Sequence, residues 1–205
     1  MTNRFDRLWD AVHKEIPGAR ILNKKNSAFM RVTFAVLTFL VKVFTLGQGK
    51  ADWSGYTTTI WRTMYVPEDF FYWSDEDKYR LLRHELVHLR QFRRWPMSFL
   101  DPYLWRVNAL IMSFCYIFVF PVILTFRAKF ERAGYTQSML SWYEIHGFST
   151  RYRVQKAMQM GVTFGGSPYL FMWRTTPAKI WAYDTMDAIA NGDITNDKDN
   201  VDTWT

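Results

Sequence analysis

Ser74-Asp75-Glu76-Asp77-Lys78-Tyr79-Arg80-Leu81-Leu82-Arg83-His84-Glu85-Leu86-Val87-His88-Leu89-Arg90-Gln91-Phe92-Arg93-Arg94-Trp95-Pro96 is the stretch from which the fold can be read outward. Ser74 offers an N-cap hydroxyl, and Asp75, Glu76 and Asp77 set three carboxylates against the positive end of a helix dipole, so a helix is expected to begin here. It should end before Pro96, since proline disfavours a helical residue in front of it. At about 100° per residue, Tyr79, Leu82, Leu86 and Leu89 form an apolar stripe. Arg83, Val87, Arg90 and Arg94 form a second stripe, and His84, His88 and Gln91 fall together on a third face. Three faces imply three environments.

Upstream, Tyr56-Thr57-Thr58-Thr59-Ile60-Trp61-Arg62-Thr63-Met64-Tyr65-Val66 is dense in β-branched and aromatic residues and closed by Pro67, which predicts a strand over residues 56–66. Residues 28–46 are apolar apart from Arg31, Lys42 and scattered threonines. The stretch between those charges is too short to span a bilayer, so a buried or interfacial helix is expected. Residues 1–18 mix Leu8, Trp9, Val12 and Ile16 with charges, which reads as a short amphipathic helix and not a secretory signal. Downstream, residues 107–126 are uncharged and mostly apolar, as long as a transmembrane helix, with Pro121 inside. Helical pattern resumes over residues 122–144, 151–160 and 177–189, with a turn at Gly165-Gly166-Ser167-Pro168. The expected class is α+β, mainly helical, with a small β element. Residues 1–190 form one expected domain, and 191–205, with Asp193, Asp197, Asp199 and Asp202, an acidic flexible tail.

Composition narrows the function classes. The 205 residues suffice for one core. Hydrophobic residues at 49% against 22% charged exclude a disordered chain. The single Cys115 excludes a disulfide framework and any multi-cysteine metal cluster. A net charge of +7 attracts anionic partners. No nucleic-acid signature accompanies Arg83, Arg90, Arg93 and Arg94, which read as solvated or ion-pairing residues, so no specific nucleic-acid partner is expected. Gly165-Gly166 lacks the lysine of a phosphate loop. Apolar and basic segments leave a membrane surface or a protein assembly as candidate contacts.

The chemistry sits in His84-Glu85-Leu86-Val87-His88. Spacing of i,i+4 on a helix puts both imidazoles on one face, able to grip a single tetrahedral ion, and Glu85 projects about 100° away, where a carboxylate can act as base without being a ligand. Residues 91–96 contain no histidine, so a third ligand must come from farther along.

These residues resemble the zincin metallopeptidases. Thr57-Thr58-Thr59-Ile60, Tyr65-Val66-Pro67 and His84 to His88 with Gln91 are also similar to a loosely defined, often phage-encoded group described as metallopeptidases. The likeness covers about residues 56–135. It implies a catalytic Zn²⁺ held by His84, His88 and a downstream glutamate, with Glu85 as general base. It also implies an edge strand, here Thr57, Thr58, Thr59, Ile60 and Trp61, that holds an extended peptide or protein substrate by backbone hydrogen bonds. In the gluzincin branch the third ligand is a Glu on a later helix, which points to Glu131; Glu144 and His146 are rivals. Tyr135, one turn on, is a candidate donor to a developing oxyanion, with a packing role as its alternative. The implied activity is zinc-dependent peptide-bond hydrolysis, in the cytoplasm (that of a host, if phage-encoded). The alternative is a structural or interaction protein, virion- or membrane-associated, with a structural or vestigial site. A straight 20-residue span of ~30 Å would part His88 from Glu131. A shared ion therefore requires the apolar run to fold back near Pro121 as a helical hairpin; otherwise 107–126 spans a membrane.

Overall fold

The computed structural model of the chain describes residues 3–44, 55–94, 124–166 and 173–195. Its class is α+β, mainly helical, with a small three-stranded sheet. The chain divides into two compact units, Met1–Ser113 and Phe114–Thr205.

In the first unit, α1 (Arg4–Glu15) is capped by the Asn3 side chain, which accepts from the Asp6 amide at 2.7 Å. Strand β1 (Arg20–Asn23) follows, then α2 (Ala28–Phe44), β2 (Thr58–Ile60), β3 (Thr63–Val66) and α3 (Asp75–Arg94). The start of α3 matches its sequence signals. The Ser74 hydroxyl accepts from the Asp77 amide at 3.1 Å and donates to the Asp77 carboxylate at 2.6 Å. Asp75 reaches across to α1, where its two carboxylate oxygens accept from the Arg4 and Phe5 amides, each at 3.1 Å. One acid thereby satisfies orphan donors of a neighbouring helix. Near the other end, Arg90 grips Glu15 of α1 in a fork of two 2.8 Å bonds. Between these ties lies the core: Val12, Ile16, Ala19, Met64, Leu82, Leu86 and Leu89, flanked by Phe5, Leu8, Trp9 and Ile21. At about 2 kcal/mol per buried leucine, the stripe of Leu82, Leu86 and Leu89 outweighs the roughly 1 kcal/mol of a cap, so packing holds α3 in place and the cap sets where it starts.

The Ser74 hydroxyl, and after it the Arg80 guanidinium, hold the Asp77 carboxyl below its ordinary range against the opposing effect of burial. A depressed carboxylate contributes stability above its unfolded pKa and loses it as pH falls through the folded value. Ser74→Ala is therefore expected to cost about 1 kcal/mol at neutral pH and to shrink that cost under acid conditions. Urea titrations at the two pH values measure this, and an equal loss at both would contradict it.

The 56–66 run is not the single strand its composition suggests. It is a hairpin, β2 antiparallel to β3 with Thr58↔Tyr65, Thr59↔Met64 and Ile60↔Thr63 paired. Trp61 and Arg62 form the two-residue turn, and Trp61 takes φ 60°. Two-residue hairpin loops demand that left-handed region, normally supplied by Gly or Asn. A tryptophan there leaves no turn signature, so the run reads as continuous. Strand β1 was not anticipated either: four residues, Arg20-Ile21-Leu22-Asn23, are too few for a pattern. It pairs in parallel with β3, giving the order β1-β3-β2 with β2 on an edge.

The second unit contains α4 (Leu124–His146), α5 (Thr150–Gly165) and α6 (Thr175–Asn191). Ala128, Met139, Leu140, Ala157, Met160, Phe164, Ala178, Ala182, Met186 and Ile189 form its core. Helices α5 and α6 approach closely because their contact residues are small: a Cβ on Gly161 would lie 2.5 Å from Lys179 Cγ. Arg132 of α4 lies over the Trp173 and Trp181 rings, at 5.0 and 5.3 Å, and burial pushes its pKa down. The guanidinium stays charged, since its ordinary value is so high.

Among the described residues no helix is long and apolar enough to cross a membrane. The apolar run 107–126, the expected reversal at Pro121 and most of the acidic tail, 196–205, lie outside the described residues.

Candidate metal centre

Helix α3 carries the site because residues Leu82 to Leu89 are all buried, polar and apolar alike. Arg83, read from the sequence as solvated or ion-pairing, is one of them: its guanidinium lies over the Tyr79 ring at 5.8 Å and donates to the Tyr79 hydroxyl at 3.2 Å. Burying His84, Glu85 and His88 on one turn is costly unless each has a partner. The partners are specific.

His84 and His88 bring their Nε2 atoms to 3.1 Å of each other. Two ligands at ordinary Zn–N lengths on a tetrahedral ion stand about 3.3 Å apart, so the pair is already set close to the edge of such a coordination shell. Gln91 Oε1 stands 2.9 Å from His88 Nδ1. An amide oxygen only accepts, so this contact suits the tautomer protonated at Nδ1, in which His88 Nε2 has a lone pair to offer. Among the described residues, buried Gln91 Nε2 has no hydrogen-bond partner. That orphan costs about 1–3 kcal/mol, which a leucine would avoid; what the glutamine contributes is its carbonyl. Gln91→Leu is accordingly expected to weaken binding of Zn²⁺ or Co²⁺ by about 10–100-fold. Metal titration of the variant beside the wild type measures this, and equal affinities would refute the role.

His84, His88 and Glu131, all buried, each offer one ligand atom, and these atoms lie within 4.8 Å of one another. Such a group could hold a metal ion. Two imidazoles and one carboxylate are the donor set of catalytic sites, which keep one position open for water or substrate. Of the rival third ligands, Glu144 and His146 are exposed, and the His146 ring packs on Trp142 at 4.4 Å. The Tyr135 ring packs on Phe164 at 5.3 Å in the helical core of its unit.

Glu85, 4% exposed, does not belong to the ligand group. Its Oε2 accepts from the Thr59 hydroxyl at 2.6 Å. Of the strand residues expected to hold substrate, Thr58, Thr59 and Ile60 lie on edge strand β2; Thr57 precedes it and Trp61 belongs to the turn. The buried Thr57 hydroxyl has no hydrogen-bond partner among the described residues. Sequence reasoning placed Thr59 by its backbone and missed its side chain; only pairing register and strand-to-helix packing reveal that contact. Gln91 did carry a signal, its place on the His84 and His88 face.

Comparison of the chain with protein-family models, with curated proteins and with solved structures finds no match.

Proposed function

We propose that the protein is a zinc-dependent peptidase that hydrolyses peptide bonds in extended substrates, with His84, His88 and Glu131 as zinc ligands and Glu85 as general base. The observation that carries the reading is the arrangement on α3: two imidazoles paired at 3.1 Å, and next to them a buried carboxylate outside the ligand group, held from an edge strand. A purely structural site has no need of that carboxylate, and burying it is unfavourable without function or compensation.

Zn²⁺, when bound, lowers the pKa of its water toward about 7 and polarises the substrate carbonyl. The chain's own residues do the rest. Glu85 takes a proton from the attacking water as its oxygen bonds to the carbonyl carbon. The same carboxyl then delivers that proton to the departing amine nitrogen as the C–N bond breaks, which returns Glu85 to its ionised form. Among the described residues β2 lies on an edge of the sheet, and an extended peptide adds to such an edge through main-chain hydrogen bonds.

The test is zinc content and turnover measured on the same preparation with a library of unstructured peptides. Zinc bound together with cleavage supports the reading. Zinc bound with no cleavage of any peptide points to a structural metal clip, and absence of zinc from carefully purified protein overturns both.

A further inference from the structure

We infer that Thr59 is the positioning residue for the general base, joining the substrate-binding edge to Glu85; the inference rests on the peptidase reading above. In the hairpin, Ile60 and Thr63 flank the two-residue loop, and the pair that closes such a loop is a hydrogen-bonded one. Thr59 and Met64 form the next pair, in which the backbone groups turn away from each other. The Thr59 N–H and C=O therefore face the side of β2 on which no described strand pairs. Its side chain leaves the sheet plane, as strand side chains do, and its hydroxyl donates to Glu85 Oε2 at 2.6 Å. Both residues are buried, 5% and 4% exposed. One residue thus presents its backbone to the substrate strand and its hydroxyl to the base.

The consequence is a division of labour within the Glu85 carboxylate. Oε2 is committed to Thr59, and Oε1 is the oxygen that takes the proton from water. A carboxylate on a three-torsion side chain is otherwise free to swing, and a misplacement of about 1 Å costs about 100-fold in rate. Peptide pairing along β2 bears directly on Thr59, so a substrate seated in register holds the base in place through a single residue.

Thr59→Val keeps the shape and the strand preference and removes only the hydroxyl. It is expected to lower kcat for an extended peptide by about 100-fold, with KM and bound zinc unchanged, while Thr59→Ser restores most of the rate. Wild-type kcat in Thr59→Val, or a Thr59→Ser as slow as Thr59→Val, would overturn the inference, as would a change confined to KM. A thermal-stability cycle through Thr59→Val, Glu85→Leu and the double variant judges the contact without reference to turnover. The double variant is expected to melt above the sum of the single losses, and strict additivity would overturn the inference even in an active enzyme. A wild type that holds zinc and cleaves nothing would instead remove the peptidase reading, with the cycle still deciding the contact.

Discussion

Glu85→Gln is expected to lower kcat for peptide hydrolysis by about 10²–10⁴-fold, with zinc content and melting temperature close to wild type. Glutamine matches glutamate in size and can still accept from the Thr59 hydroxyl through its amide oxygen, so the contact at 2.6 Å has a substitute and the fold has no cavity to absorb. What the variant lacks is a group that takes a proton. The loss therefore falls on the chemical step and not on binding, and KM should hardly move. Assay of the zinc-loaded variant beside the wild type decides the matter. Turnover untouched by Glu85→Gln would rule out this residue as the base, whatever the metal content.

Removal of the proposed third ligand should be the other large effect. Glu131→Ala is expected to abolish stable metal binding, from about one equivalent per chain to near zero after dialysis. Glu144→Ala and His146→Ala should retain it. The buried position of Glu131, with a ligand atom within 4.8 Å of those of His84 and His88, sets it apart from two exposed neighbours on the same helix. Two histidines alone leave an ion with half of a tetrahedral shell, and an ion so held exchanges readily. Elemental analysis of the three variants on one day, with His84→Ala as the empty control, measures the contrast. Metal kept in Glu131→Ala and lost in His146→Ala would reverse the ligand assignment.

The legible and illegible parts of the molecule divide by the range of the interactions that specify them. Helix α3 could be read because its signals are local: the Ser74 cap, three first-turn acids, a stripe of leucines at helical spacing and a closing proline all lie within one run. The juxtaposition of His84 and His88 was readable for the same reason, since i,i+4 spacing on a helix makes two imidazoles neighbours whatever surrounds them. The hairpin was not, because Trp61 occupies a left-handed turn position without the residue type that announces one. The burial of Arg83 over Tyr79 is likewise a tertiary fact that its charge does not announce.

By itself, then, the sequence determined that a capped helix would present His84, His88 and Gln91 on one face, with Glu85 beside them, in a mainly helical α+β chain. Only the tertiary structure turned residues 56–66 into a hairpin and brought the Thr59 hydroxyl to Glu85 from 26 positions away. The reason is physical: periodicity and caps act over one or two helical turns, whereas which strand register meets a helix is settled by packing that no local pattern encodes.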